Sequence, residues 1–130
     1  LRHTGGAIPV GGMLDPTGRL GATQVLLAGD AAGLANPVTG AGINAAVVSG
    51  RLAGEAAAAA LSGKADAGSD YAEELEDLYK ASLDRALARR QELLQVYADG
   101  GGPSRADLQR GWIAFPQYWA EAATRKGAAL

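Results

Sequence analysis

Asp30 stands directly after a short apolar run, and the residues that follow it carry little side-chain bulk. The stretch GDAAGLANPVTGAGINAAVVSGRLAGEA, residues 29–56, places glycines at 29, 33, 40, 42, 50 and 54. An ionised carboxylate only accepts hydrogen bonds, so at the end of a strand it suits the hydroxyls of a polyol such as a ribose or ribityl chain and repels a bare phosphate. Glycines at 33, 40 and 42 let the backbone approach a ligand with no β-carbon in the way. Asn36-Pro37 stops the first bend, and TGAGI then delivers the chain into a helix whose free amides and positive dipole end face the same place. Acceptor carboxylate, glycine bend and helix amino end together describe a site for a cofactor that has both a polyol and an electron-accepting ring able to carry negative charge.

The elements that must position these residues follow from the pattern on either side. TQVLLAG, residues 23–29, is a short, partly β-branched apolar run bounded by glycines, which fits a strand covered on both faces, as in a parallel sheet. Its carboxyl end would hold Asp30 where open α/β folds bind ligands. The only other strand candidate lies at residues 7–10, and two strands rarely make an independently stable sheet, so further strands are expected from outside this chain. Between the two, Asp15-Pro16-Thr17-Gly18 reads as a turn. From Ile43 the chain turns helical and alanine-rich, ending at Gly63 as a carboxyl cap. Gly50 and Gly54 lie one turn apart inside that helix, each costing about 1 kcal/mol relative to alanine, which predicts close packing on a sheet.

Beyond a polar link, Asp70 and Glu73 have capping-box spacing, and Tyr71, Leu75, Leu78, Tyr79, Ser82, Ala86, Leu93 and Val96 trace a helical stripe. Ser104 with Asp107 caps a segment over residues 105–115, and Pro116 breaks or restarts the helix that carries Tyr118 and Trp119. The predicted organisation is residues 1–63 as one region holding the glycine passage and residues 64–130 as a helical carboxy-terminal region.

Composition narrows the function classes. With 130 residues and a formal net charge of −2, the chain has the size of one domain and no basic excess that would point to nucleic acid. It has no cysteine and a single histidine, His3, so neither a disulfide framework nor a thiolate metal site is expected. No run of about 18 apolar residues occurs, and LRHTGG is not a signal peptide, so the expected compartment is the cytoplasm, with contact at a membrane surface left open.

VLLAGDAAGLANPVTGAGINAAVVSGRLAGEA resembles the second flavin-contacting motif of FAD-dependent oxidoreductases of the glutathione-reductase structural class, in particular the geranylgeranyl reductase family and its relatives among aromatic-ring hydroxylases. The likeness covers residues 8–55, and its order (apolar strand, Gly-Asp-Ala-Ala-Gly, Asn-Pro, Thr-Gly-x-Gly-Ile, Ser-Gly-Arg) is far more specific than a lone Gly-x-Gly. The resemblance implies an α/β fold: the carboxy-terminal strand and helices of an FAD-binding Rossmann-like domain, followed by helices. It implies FAD as cofactor and a site at Gly29, Asp30, Ala31, Pro37, Thr39, Gly40, Ala41, Gly42, Ile43 and Asn44. Asp30 would hydrogen-bond the ribityl chain; Pro37, Thr39 and Gly40 would line the isoalloxazine; the amides of Gly42 and Ile43 would stabilise charge near N1 and the C2 carbonyl. Ala41 stands where many geranylgeranyl reductases have an acidic residue.

The family's first motif, strand, Gly-x-Gly-x-x-Gly and helix, is not in these residues. The resemblance therefore implies the carboxy-terminal part of a longer flavoprotein, or one half of a split enzyme, whose partner is the amino-terminal remainder. The expected chemistry is hydride exchange at the flavin with an apolar isoprenoid-like or aromatic small molecule; no catalytic side chain is assigned. Two alternatives stand beside it: a scaffold half that binds flavin only with its partner, and a helical interaction module whose glycine passage is structural. The remaining polar and aromatic residues have plainer readings. His3 reads as a solvated terminal residue, Arg51 as a surface or ion-pairing residue, and Tyr71 and Tyr79 as core. Trp112, Phe115, Tyr118 and Trp119 read as core or subunit packing, and Arg85, Arg89 and Arg90 as a solvated face.

Overall fold

The computed structural model of the chain describes residues 5–120. His3 and the segment after Ala120 lie outside the described residues. Two short strands, β1 (Thr17–Leu20) and β2 (Thr23–Leu26), precede five helices: α1 (Ile43–Leu61), α2 (Ala67–Leu75), α3 (Ala81–Ala98), α4 (Arg105–Gly111) and α5 (Pro116–Trp119). A 3-10 turn, Gly29–Ala32, joins β2 to the glycine loop, and a single π-helical segment, Glu76–Lys80, joins α2 to α3.

The strands correct the parallel-sheet expectation. β1 and β2 pair antiparallel, with Thr17 opposite Leu26 and Leu20 opposite Thr23. The reason is local: Gly21 takes φ 61°, and a two-residue loop with glycine at its first central position matches the twist of an antiparallel hairpin. The turn expected at residues 15–18 is instead the start of β1. There the Asp15 carboxylate accepts from the Thr17 amide at 2.9 Å and the Thr17 hydroxyl at 3.0 Å, and those two bonds hold its carboxyl below the usual value. The strand predicted over residues 23–29 ends at Leu26, although Leu27 still donates to the Pro16 carbonyl at 2.7 Å. Residues 7–10 form no strand.

α1 begins at Ile43 and closes as its sequence directs: Lys64 donates to the Ala59 carbonyl and Gly63, at φ 95°, to the Ala60 carbonyl, the paired bonds of a Schellman ending. The packing inferred for Gly50 and Gly54 is not present among the described residues, because a β-carbon at either would meet nothing within 4 Å. They share an exposed stripe with Ile43 (86% exposed), Val47 and Leu61 (91% exposed). The opposite side of α1 packs on α2, and the core joins Ala32, Leu34 and Ala45 to Tyr71, Leu75 and Leu83, with Met13, Leu26, Leu52 and Tyr79 against it. Both sides of residue 63 thus contribute to one core.

α2 starts at Ala67, earlier than the Asp70–Glu73 spacing predicts, and no side chain caps it; Asp70 pairs with Lys64 at 2.5 Å instead. The π-helical segment explains why the buried stripe departs from its expected phase. It puts Leu75, Tyr79 and Leu83 on the inner face at successive steps of four, so that Leu83 is buried while Ser82 and Leu78 are exposed. α4 opens on the predicted box: Ser104 Oγ accepts from the Asp107 amide and Asp107 Oδ2 from the Ser104 amide. It ends at Gly111, short of residue 115, where a β-carbon would collide with Leu93 of α3. Pro116 then occupies the first turn of α5, a position that needs no amide donor.

The arginines of α3 do not form one solvated face. Arg89 is 4% exposed; its Nε donates to the Tyr118 carbonyl at 3.0 Å, its Nη2 to the Ala120 carbonyl, and its Nη1 to Glu92 at 2.7 Å. Glu92 also receives Arg110 Nε at 2.7 Å. Three partners, one carboxylate and two carbonyls, make this buried cation tolerable, where an unpaired one would be expelled. Arg85 lies over the Trp119 ring, 5.2 Å from its centroid. Of the aromatic cluster, Tyr118 alone is buried; Trp112, Phe115 and Trp119 remain exposed. Tyr71 is core as expected, with Tyr79 packed beside it, and Arg51 pairs with Glu55 at 2.5 Å.

Candidate functional site

The site is built from one turn, one loop and one helix end. Just past the end of β2 the chain is clamped from two helices. The Tyr71 hydroxyl of α2 donates to the Leu27 carbonyl at 2.6 Å. The Ser49 hydroxyl of α1 accepts from the Gly29 amide at 2.9 Å and donates to the Ala45 carbonyl at 2.6 Å. Burial pushes the Tyr71 phenol up from its ordinary value of 10.0, so it stays a donor throughout the neutral range. Gly29 takes φ 57°, and a β-carbon on it would press on Ala46 at 3.0 Å. This is a position that needs glycine both for conformation and for space.

Clamping Gly29 aims the next residue. Asp30 opens outward from the 3-10 turn, is exposed, and its carboxylate makes no hydrogen bond to the protein among the described residues. It lies against the start of α1: a β-carbon at Gly42 would sit 2.8 Å from Asp30 Oδ1. Gly42 is the N-cap of α1 and supplies no capping side chain, so the first amides of the helix stay open to a ligand.

Between Asp30 and α1 the chain closes a loop on itself. Asn36 Oδ1 accepts from the amides of Val38 and Thr39, the Asn36 amide donates to the Ala41 carbonyl, the Gly40 amide donates to the Asn36 carbonyl, and Thr39 Oγ1 accepts from the Ala41 amide. Gly40 sits at φ 70°. Pro37 is buried, and its carbonyl accepts from Arg90 Nη1 of α3 at 3.2 Å.

A cleft of about 510 Å³ lies where these parts meet, lined by Ala28, Gly29, Asp30, Ala31, Gly40, Gly42, Ile43 and Ala46. Six of the ten residues singled out from the sequence, Gly29, Asp30, Ala31, Gly40, Gly42 and Ile43, therefore share one cavity wall. Pro37, Thr39, Ala41 and Asn44 do not line it: Pro37 is turned into the protein, and Thr39 and Ala41 bond to each other within the loop. Ser49, Tyr71 and Arg90 were missed as contributors. Ser49 carried a weak signal, as the serine of the Ser-Gly-Arg run, whereas the partners of Tyr71 and Arg90 are 44 and 53 residues away and leave no local trace.

The donor set suits a ligand that offers hydroxyls to a free carboxylate, a flat group to the bare backbone of Gly29, Gly40 and Gly42, and negative charge to a helix end. FAD carries all three in its ribityl chain and isoalloxazine, and the residues present fit that half of it. The chain belongs to the FAD binding domain family, which matches residues 17–86, and FAD is the cofactor of that family. Within it, the chain is similar to digeranylgeranylglycerophospholipid reductases. It is 39% identical to reductase 2 of Methanococcoides burtonii over 82 residues, 63% of this chain and 19% of that protein. It is 36% identical to the enzyme of Methanothrix thermoacetophila over 92 residues, 71% of this chain and 22% of that protein. It is 49% identical to reductase 1 of Methanothermobacter thermautotrophicus over 57 residues, 44% of this chain and 14% of that protein. The chain spans between 14% and 22% of the length of these curated relatives. No solved structure matches it. Among the described residues no helix is long and apolar enough to cross a membrane.

Proposed function

We propose that this chain supplies the ribityl- and ring-facing part of the FAD site in a flavin-dependent oxidoreductase of the glutathione-reductase structural class, acting on an apolar isoprenoid-like substrate. The observation that carries the reading is the placement of Asp30: a carboxylate with no protein partner among the described residues, held over the uncapped amino end of α1 at the edge of the cleft. The isoprenoid class rests on the names of the relatives, all of them reductases of a digeranylgeranyl lipid. The cradle for the pyrophosphate and the acid for the adenosine ribose belong to the amino-terminal remainder of the flavoprotein, on the same or a separate chain.

In this reading FAD supplies the hydride chemistry, and the protein supplies binding, orientation and electrostatics. Asp30 accepts from ribityl hydroxyls. The backbone at Gly40 and Gly42 approaches the ring without side-chain obstruction, and Ala41 is held between them by its bonds to Thr39 and Asn36. The amides of Gly42, Ile43 and Asn44 at the α1 amino end favour negative charge and so favour the reduced, anionic ring. Pro37 and Thr39 act by shaping the loop: Pro37 is its buried anchor, and Thr39 spends its hydroxyl on the Ala41 amide. Gly29 and Ala31 form the floor on either side of Asp30.

Losing a hydrogen bond to a charged acceptor costs about 1.5–3 kcal/mol, so Asp30→Ala in the full-length flavoprotein should weaken FAD binding roughly tenfold to a hundredfold. Asp30→Asn, which keeps one acceptor, should fall between. Equilibrium titration of the apoproteins with FAD measures both, and a folded Asp30→Ala variant with wild-type affinity would refute the assignment.

A further inference from the structure

The flavin-facing loop, residues 36–42, is tied almost entirely to itself. Among the described residues, one side-chain hydrogen bond reaches it from another element: Arg90 of α3 donates from Nη1 to the Pro37 carbonyl at 3.2 Å. Arg90 is half-buried, and no carboxylate pairs with it among the described residues. Its neighbour Arg89, by contrast, is spent on Glu92 and two carbonyls, and Arg51, Lys64, Lys80 and Arg110 each carry an acid. A guanidinium stays charged at every accessible pH, and a hydrogen bond from an ionised donor is about twice as strong as a neutral one. Pro37 offers no amide of its own, so its carbonyl is the loop's one backbone handle at that residue. Three residues further on, the chain must hold Gly40 at φ 70°.

We propose that Arg90 is a positioning residue for the cofactor loop: by pinning Pro37 to α3 it holds the Gly40 backbone against the cleft and couples the seating of α3 to FAD occupancy. The inference rests on the FAD reading above and extends it to the helical region, which would then support the cofactor site from behind. Arg90 touches the loop and leaves the cofactor to Asp30 and the α1 amides. Because binding linkages are reciprocal, FAD should in turn protect α3.

Hydrogen exchange of the full-length apoprotein, followed by FAD titration of the same samples, tests this. In Arg90→Gln the amides of Val38, Thr39, Gly40 and Ala41 should exchange about tenfold faster, with those of α1 and α2 unchanged, and the FAD dissociation constant should rise about tenfold. Arg90→Lys keeps the charge and the stem but loses the fork; it should show the same local effect at about threefold, and it carries the test alone if the glutamine variant does not fold. Wild-type exchange in the loop together with wild-type FAD affinity would overturn the proposal. So would acceleration spread evenly over α3 and the core, the signature of a general packing role. The exchange arm is read without cofactor: an apoprotein that takes up no FAD sinks the FAD reading, while the loop amides still judge the brace.

Discussion

Replacing Ser49 by alanine isolates the bond that aims Asp30. Ser49 is 0% exposed, and its hydroxyl is the partner of the buried Gly29 amide at 2.9 Å. Without it that buried amide loses its acceptor, a loss of about 1–3 kcal/mol. The higher helix propensity of alanine returns roughly 0.5 kcal/mol, which leaves a net destabilisation of about 0.5–2.5 kcal/mol. Ser62→Ala is the matched control. Ser62 follows the same helix and its hydroxyl also donates back to a carbonyl four residues earlier, Ala58, at 2.9 Å, but it is exposed and accepts from no distant amide. Its substitution should stay within about 0.5 kcal/mol of the parent. Urea denaturation of the full-length apoproteins gives both values, and exchange of the Gly29 amide reports the bond itself. Ser49→Ala should speed that exchange and weaken FAD binding through a loosened Asp30. A Ser49→Ala protein as stable as Ser62→Ala, with the Gly29 amide still protected, would refute the reasoning.

Gly42→Val places a β-carbon 2.8 Å from Asp30 Oδ1, so FAD occupancy measured from the visible flavin bands should collapse while far-ultraviolet circular dichroism stays near the parent's. The obstruction is steric, since Gly42 at φ −143° is in no glycine-specific conformation; it is Gly40, at φ 70°, where even alanine should cost about 1 kcal/mol. Residues 1–130 on their own should show no saturable flavin-fluorescence change at micromolar FAD, because Ile43, Val47 and Leu61 of α1 and Leu20 of β1 stand exposed and the pyrophosphate cradle is not among these residues. The capping hydrogen bonds from the hydroxyl and then the amide of Ser104 hold Asp107 below the usual carboxylate value of 3.8. Its folded-state value being depressed, the cap contributes fully above the unfolded value and is lost as pH falls through the folded one. Amides of α4 should therefore lose protection only in that acid range, and in Asp107→Asn the loss should no longer track pH there.

What could be read from the sequence alone was set by short-range chemistry. The glycine passage announced a backbone-lined cavity because φ 70° at Gly40 and the tight approach at Gly42 are demands on single residues. The start of α1 at Ile43, the Schellman ending at Gly63, the Ser104–Asp107 box and Pro116 at the head of α5 are likewise contained within a few residues, where each partner can be seen beside the other. Asp30 was legible for the same reason, as a carboxylate at the end of an apolar run. The tertiary structure decided what depended on distant partners. It paired β2 with β1, through a hairpin that Gly21 permits and hydrophobic pattern does not reveal. It moved the buried stripe from Ser82 to Leu83, through one π-helical segment that no residue type encodes. It took Arg89 from a presumed solvated face into the core, because carbonyls 29 and 31 residues on were waiting for it. Ser49, Tyr71 and Arg90 gained their roles in the same way: each hydrogen-bonds a backbone group 20 to 53 residues distant, and periodicity, which reports only what neighbours on one element share, carries no record of such a bond.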